Sequence, residues 1–241
     1  MISSRKTPFV SVITPTYNRV QFIPRLVACY KSQSYPKESM EWIILDDGQE
    51  LCKEVLEEYT HGLPNIRYIQ LDYKLNIGEK RNMLNREAKG EIIVCMDDDD
   101  YYPPERVDYA VNQFLRFPSI QLAGSTELFI YYTDTREIYK LGPYNKQHAT
   151  NGTMAYRKEY TKTHTYDEMV TFAEEKSFLE EYKHPMIQLE PKKVMLVMSH
   201  SDNTFDKDSL RKRESQFIKK TSLTLRDFIK DSTLRSHFEV L

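Results

Sequence analysis

The run Ile92-Ile93-Val94-Cys95-Met96 passes without a break into Asp97-Asp98-Asp99-Asp100. Five consecutive apolar residues, three of them β-branched, predict a strand buried on both faces. Four adjacent carboxylates repel one another, and burying them unpaired is unfavourable. Solvation or a divalent cation are the ways to keep such a run, and oxygen ligands of this kind suit Mg²⁺ or Mn²⁺. Taken alone, a charge run reads as a solvated turn. This one stands at the carboxyl end of a core strand, where open α/β sheets hold their ligands, so a metal site is the stronger reading. Tyr101-Tyr102-Pro103-Pro104-Glu105 then stops the strand and opens a helix with a proline in its first turn.

Upstream the same grammar repeats. Phe9 to Thr14 reads as a strand ended by Pro15, and Thr16-Tyr17-Asn18-Arg19 as a polar loop. Gln21 to Ser32 has helical spacing of Phe22, Ile23, Leu26, Val27 and Tyr30. Trp42 to Leu45 is a second strand ending in Asp46-Asp47-Gly48, with a helix over about Leu51 to Tyr59 behind it. Ile66 to Leu71 is a third strand. Ile77 to Ala88 is a helix closed by Lys89-Gly90, a capping glycine preceded by a cation. Strand and helix in alternation predict a parallel sheet with right-handed crossovers. The polar clusters Pro15 to Arg19, Asp46-Asp47 and Asp97 to Asp100 should then meet along one sheet edge.

Beyond a helix at Glu105 to Phe117 the pattern is mixed. Ile120 to Ser125, Leu128 to Tyr132, Ile138 to Leu141, Thr153 to Tyr156 and Val194 to Met198 read as strands, Tyr132 to Arg136 as a hairpin turn, and Phe172 to Tyr182 as a helix. The expectation is one domain over 1–241, an α/β half (1–103) joined to an α+β half (104–241) around one sheet.

Composition sets the outer limits. A formal net charge of -2 argues against a nucleic-acid binder held by bulk electrostatics. No apolar run reaches the length of a membrane span, and Met1 to Lys6 has no signal-like segment, so a cytoplasmic protein is expected. Cys29, Cys52 and Cys95 are odd in number and scattered, which predicts buried free thiols in a reducing compartment.

Four pieces in order, Val10 to Arg19, Ile44 to Gly48, Asn76-Ile77-Gly78 with Arg81-Asn82, and Met96 to Asp100, resemble the family 2 glycosyltransferases of the GT-A fold. The resemblance is dense over the first half of the chain and thin over the second. It implies an inverting, metal-dependent sugar transfer from a nucleotide-diphosphate donor, a UDP-sugar foremost, to a hydroxyl of a glycan or glycoconjugate. Pro15, Thr16, Tyr17 and Arg19 would line the base and ribose pocket, with Tyr17 stacked on the base. Asp47 would read the base, while Asp46 either shares that task or caps the following helix. Arg81, with Lys80 as its rival, would lie near the diphosphate, helped by Arg211-Lys212-Arg213 under a mobile C-terminal segment. The family's DxD motif falls on Asp97-Asp98-Asp99, placing Asp97 and Asp98 at the donor and Asp99 on Mn²⁺ or Mg²⁺. His200 resembles a further metal ligand. Glu175, in Glu174-Glu175-Lys176-Ser177-Phe178, stands where the family carries a catalytic aspartate, with Glu174 and Asp167 as neighbouring candidates.

Readings from other classes are a metal-dependent phosphotransferase or nucleotidyltransferase and a non-catalytic sugar-nucleotide module. The first two are disfavoured because the loop after the first strand has neither a nucleophilic aspartate nor a glycine-rich turn.

Overall fold

The computed structural model describes residues 7–171, 173–201, 203, 207–212 and 215–239. The early strands form where expected: β1 (Val10–Thr16), β2 (Met40–Asp46), β3 (Ile66–Gln70) and β4 (Ile92–Cys95). All are parallel, with β1 between β2 and β4, and β1, β2 and β4 are buried along their whole length. Such unbroken burial is why these strands read as continuous apolar runs rather than alternating ones. Between them run α1 (Ile23–Ser32), α2 (Lys53–Thr60) and α3 (Ile77–Glu87), and α4 (Arg106–Arg116) follows β4.

The second half of the chain completes this sheet and builds another. β5 (Leu122–Gly124), β6 (Leu128–Tyr132), β7 (Glu137–Leu141) and β8 (Ala155–Arg157) precede the single-turn α5 (Glu175–Phe178). β9 (Met186–Gln188), β10 (Val197–Ser199), α6 (Asp208–Arg211), β11 (Ile218–Lys220), α7 (Leu225–Phe228) and α8 (Ser232–Glu239) follow. The main sheet has the order β3-β2-β1-β4-β8-β5-β9, in which β8 alone runs antiparallel to its neighbours. The other has the order β10-β6-β7-β11. The expected single sheet is therefore two, joined by a bridge between Tyr101 and Leu196 just past the acidic run.

Three further expectations change. The helix expected over Phe172 to Tyr182 shrinks to α5, because Glu180, Glu181 and Tyr182 have φ of 44°, 58° and 60°, left-handed values a right-handed helix cannot use; Phe172 lies outside the described residues. Gly90 does not cap α3 with a positive φ. A Cβ there would stand 2.3 Å from Ser11 N, and the Gly90 amide instead donates to Ser11 Oγ at 2.8 Å. The strand expected over Val194 to Met198 begins only at Val197, and the one at Thr153 to Tyr156 only at Ala155.

The carboxyl ends of the central strands are locked by one hydrogen-bonded chain. Trp42 Nε1 donates to Thr14 Oγ1 at 2.9 Å, and Thr14 Oγ1 donates to the Met96 carbonyl at 2.7 Å. This ties β2, β1 and the residue before the aspartates together in a fully buried layer, where Trp42 stacks on Tyr30 at 4.6 Å. All three cysteines are free and buried. Among the described residues no helix is long and apolar enough to cross a membrane.

Candidate active site

At the carboxyl ends of β1, β2 and β3 lies a cavity of about 290 Å³ lined by Tyr17, Asp47, Gly48, Gln49, Leu51, Gln70, Leu71, Asp72, Tyr73 and Lys74. Of the loop residues expected at a base pocket, Tyr17 lines this cavity, while Pro15, Thr16 and Arg19 do not. Pro15 and Thr16 end β1, the Thr16 carbonyl accepting from Lys80 Nζ at 3.0 Å. Arg19 turns to Asp99, at 3.1 Å. The Lys74 ammonium lies 4.0 Å from the Tyr17 ring centroid, a cation–π contact on one ring face.

Asp46 and Asp47 divide their work. Asp46 accepts from the Gly48 and Cys52 amides, both at 2.9 Å, and from the Tyr68 hydroxyl at 2.8 Å. It builds the turn into α2. Asp47 lines the cavity and is held by the Leu75 amide at 2.7 Å and by an ion pair with Lys80.

Helix α3 organises the rest. Asn76 and Glu79 close its amino end as a capping box. Its next residues are buried and polar, and each reaches a different part of the site. Lys80 holds Asp47. Arg81 donates from Nε to Glu174 at 2.7 Å and from Nη2 to Asp97 at 3.0 Å. Asn82 accepts from the Tyr166 amide and donates to its carbonyl, each at 2.9 Å. Gly78 is required by contact, since a Cβ would lie 2.0 Å from the Asp167 carbonyl oxygen. The resemblance puts Arg81 at a diphosphate, whereas its fork is committed to two carboxylates and its Nη1 is buried without a partner among the described residues.

The acidic run is mostly buried. The Asp97 amide donates to the Tyr102 hydroxyl at 2.6 Å, and Asp100 accepts from the Met198 amide at 2.8 Å. Among the described residues, Asp99 Oδ2 lies near Arg19 Nη1 at 3.1 Å, Asn203 Nδ2 at 3.1 Å and His200 Nε2 at 3.3 Å. Burial and the Asp99 charge push Asp98 upward. Asp99 itself is held low against burial by the His200 hydrogen bond and the Lys207 and Arg19 charges. Four adjacent carboxylates are a donor set of the kind a hard divalent cation takes, and Asp99 with His200, 3.3 Å apart, is the pair that would hold it. The His200 ring also packs on Phe22 at 4.6 Å.

Of the two glutamates, Glu174 is a buried anchor. Its Oε1 accepts from both Arg81 and, at 2.8 Å, Asn151 Nδ2. Glu175 begins α5 and is half-buried. Burial, reinforced by the Glu174 charge, pushes its carboxyl up to about 7. Asp167 belongs to the loop packed on Gly78. Arg211 is committed to Asp134 and Asp208 and stacks over Tyr132 at 4.5 Å. Arg213, expected beside it at a diphosphate, lies outside the described residues. Tyr102 was not given a role from sequence, because an aromatic residue next to a strand end reads as core.

Residues 11–180 match the family model described as glycosyl transferase family 2. Curated relatives include the poly(ribitol-phosphate) β-N-acetylglucosaminyltransferase TarS of Staphylococcus aureus, 33% identical over 97 residues, covering 39% of this chain and 17% of that protein. The putative colanic acid biosynthesis glycosyl transferase WcaA of Escherichia coli is 34% identical over 105 residues, covering 43% of this chain and 37% of that protein. The chain thus spans well under half the length of these relatives. Among solved structures, the mannosyltransferase PcManGT of Pyrobaculum calidifontis, in complex with GDP-Man and Mn²⁺, superposes with a TM-score of 0.66 at 16% identity, over 86% of this chain and 61% of that one. S. aureus TarS 1-349 in complex with UDP-GlcNAc gives 0.63 at 22% identity, over 80% and 59%. The shared architecture is the GT-A fold, a mostly parallel sheet flanked by helices. With a family model covering well over half of its residues, the chain belongs to the family 2 glycosyltransferases.

Proposed function

We propose that the chain transfers a sugar from a nucleotide-diphosphate sugar to an acceptor hydroxyl, in one displacement that inverts the anomeric carbon. The observation that carries this reading is the Arg81 bridge. One guanidinium holds Glu174 at 2.7 Å and Asp97 at 3.0 Å, so the raised carboxyl of Glu175 stands beside the acidic run. A carboxylate whose proton affinity is matched to neutral pH is suited to take the proton of an attacking hydroxyl. Glu175 is that base, and Glu174 and Arg81 position it.

The donor's nucleoside enters the cavity beside Tyr17, where Asp47, fixed by Lys80 and the Leu75 amide, accepts from the base. A UDP-sugar is the donor class we favour, supported by the UDP-GlcNAc complex of the TarS neighbour. Asp97 and Asp98 face the donor, and Asp99 with His200 would hold Mn²⁺ or Mg²⁺. A bound cation offsets charge on the departing diphosphate. Residues 1–103 supply the donor half and 104–241 the acceptor half, the acceptor being a glycan or glycoconjugate. A cytoplasmic setting is supported by the three unpaired buried thiols.

The test is a thermal-shift panel of nucleotides and nucleotide sugars with and without Mn²⁺, since a ligand of the folded state raises the midpoint by mass action. The expected result is stabilisation by UDP or a UDP-sugar that needs metal and disappears in Asp99→Ala. An equal response to every nucleotide, or none that needs metal, overturns the reading.

A further inference from the structure

Away from the acidic run, His164, Glu180 and His184 bring ligating atoms within 4.8 Å of one another. His164 Nε2 lies 3.6 Å from Glu180 Oε1, and His184 Nε2 lies 3.0 Å from Glu180 Oε2. The three come from two segments. His164 follows the helical turn Lys158–Lys162, whereas Glu180 and His184 follow α5. Successive left-handed residues at 180, 181 and 182 fold the chain back, an arrangement non-glycine residues adopt only when the surrounding structure imposes it.

The surroundings of the trio are built in advance. Tyr160 stacks flat on His164, with centroids 3.9 Å apart and an interplanar angle of 5°. It meets His184 edge-on at 5.6 Å and donates its hydroxyl to the Phe178 carbonyl at 2.8 Å. His164 Nδ1 lies 3.1 Å from the Tyr160 carbonyl. Thr163 Oγ1 lies 2.9 Å from the same nitrogen, so Nδ1 is tied to its own segment while Nε2 is turned toward Glu180. The Nε2 atoms of both imidazoles thus converge on the Glu180 carboxylate, one on each oxygen. A histidine whose second nitrogen is anchored on a carbonyl is also how metal-ligating imidazoles are oriented.

We propose that His164, Glu180 and His184 bind a divalent transition-metal ion of the zinc class, at a site separate from the Asp99 cluster. Two imidazoles and one carboxylate suit such an ion, whereas magnesium and calcium prefer oxygen sets. Zinc bonds of about 2.0–2.2 Å at tetrahedral angles separate ligand atoms by about 3.4 Å; here each imidazole Nε2 lies 3.0 or 3.6 Å from its own Glu180 oxygen, and the three ligating atoms lie within 4.8 Å of one another. The exposed side of Glu180 leaves room for water in the remaining position. The ion cross-links the Lys158–His164 segment to the turn that follows α5, the element that begins with Glu175, and so stiffens that element from behind.

The test is zinc binding by the full chain in excess Mg²⁺, read as bound zinc after dialysis and as a shift in the unfolding midpoint. Wild type and Asp99→Ala are expected to retain one zinc per chain and to unfold at a higher temperature with it. His184→Ala and Glu180→Gln are expected to bind zinc more than about tenfold more weakly. Glu180→Gln, near-isosteric at an exposed position, decides the matter if His184→Ala folds poorly. Zinc retained equally by all variants, or lost only in Asp99→Ala, overturns the site.

Discussion

Arg81 Nε donates to Glu174 Oε1 at 2.7 Å, and the next residue after that glutamate is the proposed base, Glu175. The same guanidinium reaches Asp97 at 3.0 Å, so one side chain sets the position of the base against the acidic run. Both Arg81 and Glu174 are almost fully buried.

Removing Arg81 leaves two carboxylates without their cation. Breaking a buried ion pair from one side is worth about 3–5 kcal/mol. At roughly 2–4 °C per kcal/mol for a chain of this size, Arg81→Ala should lower the unfolding midpoint by about 10 °C. Arg81→Lys keeps the charge but not the fork that spans both partners. It should retain more stability than Arg81→Ala yet still lose most transfer. A lysine variant with wild-type turnover would refute the positioning role.

Glu175 makes the pH dependence specific. As a base it must be ionised, and burial with the neighbouring Glu174 charge lifts it to about 7. Turnover should therefore climb as pH rises through about 7 and then level. The effect on stability has the opposite sign. The folded state holds a proton on this group that the unfolded chain releases at lower pH, so its contribution to stability falls as pH rises from about 4.5 to about 7. Glu175→Gln should remove the stability dependence and lower turnover about 10²–10⁴-fold with donor binding intact. A pH–rate profile that is flat between pH 5.5 and 8 in the wild type would exclude this glutamate.

The doubly buried strands were legible because nothing but continuous apolar sequence can fill such positions, and each was followed by the polar cluster that marks its carboxyl end. Asp47, Asp99, His200 and Glu175 were candidates through the resemblance, and the fold places Asp47 on the cavity and Asp99 3.3 Å from His200. What sequence did not disclose was pairing. Arg81 reads as a cation open to a diphosphate, and only the fold brings Glu174, 93 positions away, against it. The helix expected over Phe172 to Tyr182 failed for a similar reason. Its residues favour helix, but tertiary contacts hold Glu180 to Tyr182 in left-handed geometry.

Asp47 is paired with a buried lysine, so its two roles separate experimentally. Asp47→Asn should weaken nucleotide binding and destabilise the fold by about 3 kcal/mol, since the Lys80 ammonium loses its buried partner. Adding Lys80→Met removes that stranded charge. The double variant should regain much of the stability while nucleotide binding stays weak. Measured by chemical denaturation and nucleotide titration, strictly additive losses of stability would show that the two side chains are not coupled.

Gly78 offers a test in which the sign of the effect is diagnostic. Near the start of a helix, glycine to alanine ordinarily stabilises, by up to about 1 kcal/mol. Here the added methyl would meet the Asp167 carbonyl oxygen at 2.0 Å and its carbon at 2.9 Å, backbone atoms that cannot rotate away. The Asp167 loop is pinned to α3 through Asn82, and the Asp167 amide donates to Ser177 Oγ at 2.8 Å. Ser177 Oγ in turn donates to the Glu174 carbonyl at 2.8 Å, so a displaced loop moves α5 and Glu175 with it. Gly78→Ala should lose about 1–3 kcal/mol of stability, the usual effect of overpacking. It should also lower turnover more than donor affinity, because the nucleoside cavity is lined from β1, β2, β3 and their loops rather than from this contact. A variant more stable than wild type, with unchanged turnover, would mean that the loop does not press on α3.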